Sequence, residues 1–203
     1  MRYFFLLCLF SAQSFATADK FASYISVAAD RKSGMNLRWK ALLSAADIAS
    51  ADQFKQIKNF VLSKDWYMRN AAIIALAKIN SAEALIEAKK LLQDKALVVR
   101  SAAVEIVAQN LTQEHKKVLA AELQKSYNFH KKSSLWIRKQ IIEKLSSSAD
   151  IQDLDIFVKN LFDADKEVSL ISAKTLEKIT GQRVDDFKYI ENWKALVRQN
   201  DWL

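Results

Sequence analysis

The chain has 203 residues, of which 51% are hydrophobic and 27% are charged, as in a globular protein of one-domain size. It contains two glycines and no proline, so it lacks the residues on which tight turns and β-hairpins depend, which argues against a β-rich fold and favours helices joined by short polar turns. The formal net charge of +8 favours acidic partners such as anionic lipid headgroups, acidic polymers, acidic proteins or nucleic acid, without choosing among them.

The first sixteen residues are typical of a secretory signal peptide. Arg2 precedes an apolar run over residues 3–10, and small residues precede a cut after Ala16. The run is shorter than the roughly 20 residues of a membrane-spanning helix. We therefore expect residues 1–16 to be removed, leaving a periplasmic or secreted mature chain without a transmembrane span. The alternative is a buried N-terminal helix. Cys8 lies in this run, so the mature chain would have no disulfide.

A repeated phrase follows, in which an arginine comes directly after an apolar residue and opens an apolar stretch. The arginines are 31, 31 and 38 residues apart and are Arg38, Arg69, Arg100 and Arg138. A fifth copy has Ser169 in the arginine's position. Around each arginine, apolar or small residues recur at offsets −1, +3, +4 and +7, which is the stripe of an amphipathic helix.

A second helical stretch precedes most of these helices. Ser81, Thr112 and Asp150 are the expected N-caps of three such stretches, and Asp150 with Asp153 approximates a capping box. Each copy is thus predicted to be a helix, a short turn and a helix. Such a pair cannot bury its apolar face alone, but stacked pairs can, which predicts an α-solenoid.

These units resemble HEAT repeats, in particular the short bacterial HEAT-like or armadillo-type kind. The resemblance lies in Asp65 before Met68-Arg69, Asp94 before Val99-Arg100, and Asp163 before Val168. It implies an all-α fold, a right-handed superhelix of about five helix pairs over residues 17–180. The 31-residue spacing is shorter than the roughly 40–47 residues of long HEAT and armadillo units.

The arginines have two interpretations. A guanidinium can hydrogen-bond a turn carboxylate of its own or a neighbouring unit, and a ladder of such pairs, which the resemblance also implies, would fix the spacing between units. The alternative is a concave arginine row that binds an anionic ligand. The predicted ladder residues are Arg38, Arg69, Arg100, Arg138, Asp65, Asp94, Asp163 and Asp165.

The long interval carries seven extra residues around positions 126–134. Tyr127, Phe129, His130, Lys131 and Lys132 form a basic-aromatic loop there. Such a loop can bind acidic or planar ligands. We favour a longer connector whose aromatic side chains fold back on the core and whose lysines face solvent.

The last segment, residues 181–203, is predicted to close the array. Gly181 suits a helix C-cap, and Phe187, Tyr189 and Trp193 lead into a final amphipathic helix. The open end of a solenoid needs a cover, so we interpret this segment as a cap. The alternative is an aromatic docking site for a partner.

No catalytic motif is recognisable in the sequence. It has no phosphate-binding glycine loop, no nucleophile elbow and no His-Glu metal motif. His115 and His130 have no Cys or His at ligand spacing, so we expect no metal and no cofactor. DNA glycosylases and phycobilin lyases also use HEAT-like units, and a lyase-like or glycosylase-like enzyme is the third alternative.

The sequence therefore predicts an exported, monomeric scaffold that is not an enzyme and that binds another protein on the concave surface formed by the second helix of each pair. The alternative is a basic module that binds an anionic envelope polymer, a lipid headgroup or nucleic acid, of which nucleic acid is the least expected. The predicted binding residues are Trp39, Leu43, Ile74, Lys78, Lys139, Lys174 and Lys178.

Overall fold

The computed structural model describes residues 17–202, and the contacts between residues divide the chain into two units, residues 1–106 and 107–203. The predicted signal peptide, with Arg2, Cys8 and the expected cleavage site after Ala16, lies outside the described residues. The predicted boundaries at residues 17–180 and 181–203 stay predictions.

The first unit consists of helix pairs. Its helices are α1 over residues 17–29, α2 (Met35–Ile48), α3 (Phe54–Lys58) between the 3₁₀ turns Ala51–Gln53 and Asn59–Leu62, α4 (Trp66–Ile79), α5 (Ser81–Leu91) and α6 (Leu97–Ala108), which ends just past the unit boundary.

The second unit continues with the same alternation. Its elements are α7 (Gln113–Glu122), the 3₁₀ turn Ser126–Asn128, strands β1 (Phe129–His130) and β2 (Ser133–Ser134), α8 (Trp136–Ser147), the 3₁₀ turn Ile151–Asp153, α9 (Leu154–Leu161), α10 (Lys166–Thr180) and α11 (Tyr189–Gln199). The prediction of an all-α fold built from HEAT-like helix pairs is confirmed.

The predicted apolar stripe forms the core of the first unit. Met68, Ala72, Ile73 and Leu76, at offsets −1, +3, +4 and +7 from Arg69, are fully buried. α2 packs against α4, and small side chains on both helices allow a close approach. No helix among residues 17–202 is long and apolar enough to cross a membrane.

The core of the second unit follows the same offsets. Ile137, Ile141, Ile142 and Leu145 are buried on α8, which packs against α10. α11 packs against α9 and α10 and buries Trp193 there. α11 thus covers apolar surface that α9 and α10 would otherwise expose.

Helix ends follow capping chemistry with one correction. Thr112 accepts from the His115 N–H, and the Asp150–Asp153 capping box is present. The N-cap of α5 is Asn80 and not Ser81, because the Asn80 side chain accepts the Glu83 N–H at 3.1 Å. Gly181 ends α10 with φ of 69°, a conformation that favours glycine.

The long interval is a β-hairpin and not a plain connector. β1 and β2 pair antiparallel around Lys131 and Lys132, whose φ angles are 46° and 70°. Two consecutive left-handed residues are the geometry of a type I′ turn, which usually recruits Asn and Gly. Because lysines occupy both turn positions, the sequence did not predict this turn.

Candidate functional site

Arg38 and Arg69, in the first unit, each reach the turn of the following repeat. Arg38 Nη1 lies 2.9 Å from Asp65 Oδ2. Arg69 binds Asp94 through two bonds, Nε to Oδ2 at 2.6 Å and Nη2 to Oδ1 at 2.7 Å. Because each bond joins one repeat to the next, the pairs set the spacing between neighbouring turns.

The second unit repeats this arrangement with the most buried arginine of the set. Arg138 Nη1 lies 3.2 Å from Asp163 Oδ1, and Nη2 contacts Asp163 Oδ2. The Arg138 guanidinium carbon also lies 4.3 Å from the centroid of the Phe129 ring, within the range of a cation–π interaction.

The same guanidiniums also bind backbone carbonyls of their own repeat. Arg38 Nε donates to Ala28 O at 3.0 Å, and Arg138 Nε donates to Leu123 O at 2.6 Å. Ala28 is in the last turn of α1, and Leu123 directly follows α7. Helix C-termini attract cations, so these contacts offset the cost of an arginine near the N-terminus of the next helix.

Three further positions of the predicted ladder, Arg100, Asp165 and Ser169, form hydrogen bonds that stay within one repeat and do not reach the next turn. Arg100 Nη1 donates to Asp94 O at 2.7 Å in its own turn. Asp165 caps α10 by accepting from the Glu167 and Val168 N–H groups. Ser169, which replaces the arginine in the fifth repeat, donates from Oγ to Leu161 O at 2.5 Å. The serine thus keeps the carbonyl contact and drops the bond to a further turn.

Two ladder carboxylates, Asp94 and Asp163, have a lowered pKa. Burial would raise the pKa of Asp94, but hydrogen bonds from Arg69 and from the Ala96 N–H outweigh it, so the pKa is lowered. At Asp163, burial would likewise raise the pKa, but hydrogen bonds from Arg138 and from the Asp165 N–H outweigh it, so this pKa is also lowered. Both turns are therefore more stable with the carboxylate charged.

The predicted binding residues of the first unit contact neighbouring helices. Trp39 Nε1 donates to Asn70 Oδ1 at 3.3 Å, and Lys78 Nζ lies 2.6 Å from Asp47 Oδ1. Leu43 and Ile74 are half-buried. The bonds of Trp39 and Lys78 link α2 to α4, and Lys78 remains exposed beside its carboxylate.

Two of the three predicted residues of the second unit are also engaged. Lys139 Nζ lies 2.9 Å from Glu167 Oε1. Lys178 Nζ donates to Ser146 O and Ser147 O, at 3.1 and 3.3 Å, near the C-terminus of α8. Lys174 is exposed and forms no ion pair with any residue between 17 and 202.

Lys174 and Lys178 lie in an open groove of about 570 Å³, here called the inner-face groove. It is lined by Leu170, Lys174, Glu177, Lys178, Asp186 and Tyr189. Tyr189 donates to Glu177 Oε2 at 2.5 Å, and burial together with this carboxylate raises the pKa of Tyr189 to about 12. The groove thus has a neutral phenol at its wall and a free ammonium group at its rim.

The aromatic side chains of residues 126–134 contact neighbouring side chains, and the basic side chains of this segment face solvent. Tyr127 donates to Glu122 Oε2 at 2.5 Å, and Phe129 lies against Arg138. His130, Lys131 and Lys132 are exposed.

Sequence reasoning missed a buried ion pair in the second unit. Lys116 Nζ lies 2.5 Å from Asp153 Oδ2 and also donates to Ser148 O at 3.0 Å. Both side chains are buried. The two residues are 37 positions apart, and no local pattern distinguishes the buried Lys116 from the exposed Lys117 beside it.

No metal site is evident in the part of the chain that the structure describes. Between residues 17 and 202, no group of three or more His, Cys, Asp and Glu side chains could hold a metal ion. His115 is buried, with Nδ1 2.5 Å from Asn110 O.

Comparison with known proteins supports the repeat architecture. The family model described as HEAT repeats matches residues 27–108. Over residues 27–108 the chain is therefore similar to HEAT repeats. No curated protein matches the chain. A crystal structure of an engineered protein is similar over 88% of this chain and 96% of its own, with 16% identity and a TM-score of 0.47. The resemblance to HEAT repeats is confirmed by the family model.

The Arg138 to Asp163 contact should contribute strongly to stability. We expect Arg138→Ala to lower the free energy of unfolding by about 3–5 kcal/mol, because it leaves the Asp163 side chain, which is 9% exposed, without its cation. Lys139→Ala is the matched control, since it removes a neighbouring but exposed ion pair of about 0–1 kcal/mol. Urea unfolding measures both, and equal losses would contradict the role assigned to Arg138.

The lowered pKa of Asp94 predicts acid sensitivity. The stabilising contribution of Asp94 should be complete above the pKa of an aspartate in the unfolded chain, near 3.9. It should disappear as the pH falls through the lower pKa that Asp94 has in the folded protein. Asp94→Asn should therefore be less stable than wild type at pH 7, and this difference should shrink in acid. Thermal unfolding from pH 7 to pH 2 tests this, with the exposed Asp19→Asn as control. A difference that is independent of pH would refute the assignment.

Proposed function

We propose that this protein is an exported HEAT-repeat scaffold that binds a segment of another protein and has no catalytic role. Stacked helical repeats present extended surfaces suited to macromolecular partners. The observation that carries the proposal is the inner-face groove, which lies on the second helix of a pair, where the sequence places the binding surface.

The lining of the groove indicates what kind of segment it would accept. Leu170 is exposed at one side and offers apolar contact, while Lys174 offers a cation with no described acidic partner. Glu177 is occupied by the Tyr189 hydroxyl. An aliphatic side chain followed by a carboxylate would therefore find complementary groups in the groove.

The size of the groove is consistent with a short peptide segment. About 570 Å³ accommodates a few side chains, and the groove is open to solvent along its length. A segment of a folded or extended partner can therefore enter without any rearrangement of α10.

Export of the scaffold is supported by the basic start, the short apolar run and the small residues before Thr17. We expect the protein in the cell envelope to begin at Thr17, as read by mass spectrometry of the intact chain. Ala16→Glu should block processing, because the position before the cut requires a small residue. Ala22→Glu, six residues further along, should be processed normally. A chain that retains residues 1–16 in the envelope would contradict the proposal.

The inner-face groove is tested by site-specific photo-crosslinking in the native envelope. A crosslinker at position 170 should give one discrete adduct, and a crosslinker at Lys159 on α9 should not give it. Lys174→Glu should reduce the adduct at position 170 several-fold while the thermal unfolding midpoint stays unchanged, because Lys174 is exposed. The same adduct from both positions, or an adduct insensitive to Lys174→Glu, would count against the groove.

Salt separates protein binding from polyanion binding at this groove. An adduct that depends mainly on apolar contact should persist at high salt, whereas binding of a charged polymer should fall steeply as its charges are screened.

A further inference from the structure

The turns of the first unit carry a second pattern that the ladder does not use. Each turn exposes at least one large apolar side chain and at least one cation. The exposed apolar residues are Met35 at 52%, Leu37 at 56%, Leu62 at 85%, Trp66 at 46% and Val98 at 42%. The exposed cations are Arg31, Lys32, Lys64 and Lys95. We call these nine residues the turn edge.

The ladder brings these turns side by side. The Arg38 to Asp65 bond joins the first turn to the second, and the Arg69 to Asp94 bond joins the second to the third. The second and third turns also line one open groove of about 780 Å³. Leu62, Lys64, Trp66 and Lys95 are all among its lining residues. The second and third turns thus share one surface, and the Arg38 to Asp65 bond places the first turn beside the second.

The charge of this surface is positive because the ladder neutralises its acids. Asp65 and Asp94 are paired with arginines. The cations of the turn edge form no ion pair with any residue in the range 17–202. The remaining carboxylate is Asp30, which accepts hydrogen bonds from the Lys32 N–H and the Ser33 hydroxyl. Four cations therefore face one carboxylate.

We propose that the turn edge docks the protein onto an anionic lipid bilayer. Leu62 ends a 3₁₀ turn, and the other apolar side chains of the turn edge lie in the first turns of α2, α4 and α6. Exposed side chains of this kind can enter a bilayer. Tryptophan favours the boundary between headgroups and acyl chains, and lysines beside it bind anionic headgroups. This surface is separate from the inner-face groove and does not depend on the function proposed for that groove.

The protruding geometry favours a bilayer over a peptide as the occupant. A peptide groove buries the partner's side chains between walls, yet Leu62 stands 85% exposed on the groove's rim. Apolar groups on a basic rim suit a surface that offers headgroup charge outside and hydrocarbon beneath.

The test uses the protein as purified from its own cell envelope and measures its co-sedimentation with lipid vesicles. One set is pure phosphatidylcholine and the other contains 30% phosphatidylglycerol by composition. We expect binding to the anionic vesicles, weak binding to the neutral ones, and a blue shift of tryptophan emission that Trp66→Phe removes. No sedimentation with anionic vesicles would assign the turn edge to a protein partner and overturn the proposal.

Variants separate the charged part from the apolar part. Lys64→Glu with Lys95→Glu should weaken vesicle binding at least about tenfold, because each basic residue near an anionic surface contributes separately. Lys117→Glu with Lys159→Glu, which makes the same charge change on exposed positions of α7 and α9, should weaken it much less. Equal losses from the two pairs would mean that net charge alone drives adsorption, and would overturn the proposal.

Leu62→Ser tests insertion itself. It should weaken binding about fivefold or more, since a leucine side chain leaves the hydrocarbon boundary, and its high exposure means that folding should be unaffected. Thermal unfolding followed by circular dichroism verifies that each variant is folded. Unchanged binding of a folded Leu62→Ser variant would show a purely electrostatic polyanion surface and would also overturn the proposal.

Discussion

A pair of short helices cannot bury its own apolar stripe, and this constraint governs the structure. Met68, Ile73 and Leu76 reach full burial because the neighbouring pair covers them. Apolar burial alone would tolerate sliding between pairs, since it is not directional. The arginine that binds its own turn and the next turn's carboxylate supplies direction, and it does so through bonds between residues only 25 to 27 positions apart.

The ladder also determines which groups remain for partners. It pairs Asp65 and Asp94 with arginines, so the neighbouring Lys64 and Lys95 have no carboxylate partner among the described residues. On the second helices of the pairs, Lys78 and Lys139 are held by carboxylates of neighbouring elements, whereas Lys174 forms no ion pair with any described residue. The positive charge of the chain is therefore divided between structural ion pairs and open surface, and the turns of the first unit and α10 carry part of the open charge.

The regular offsets around the arginines predicted the inner helices and their buried residues, because one apolar stripe per helix is a local property. The N-cap at Asn80, the hairpin at Lys131 and Lys132, and the Lys116–Asp153 pair were missed. The hairpin lacks its usual residues, and the ion pair joins positions far apart in the chain. The offsets predicted that Lys78 and Lys139 point away from the core but not that an adjacent repeat supplies their counter-ions. Site prediction was limited by such contacts between repeats.

Ser169 has a consequence for how arrays of this kind grow. Ser169 keeps the bond to the preceding helix, through Leu161 O, and has no described bond to a later turn. After α10 the chain continues into α11 and not into another helix pair. Among the described residues, the ladder of bonds from one turn to the next therefore does not continue past Ser169. Lengthening the protein by duplicating an internal module would require an arginine at this position, together with a new carboxylate for it to bind.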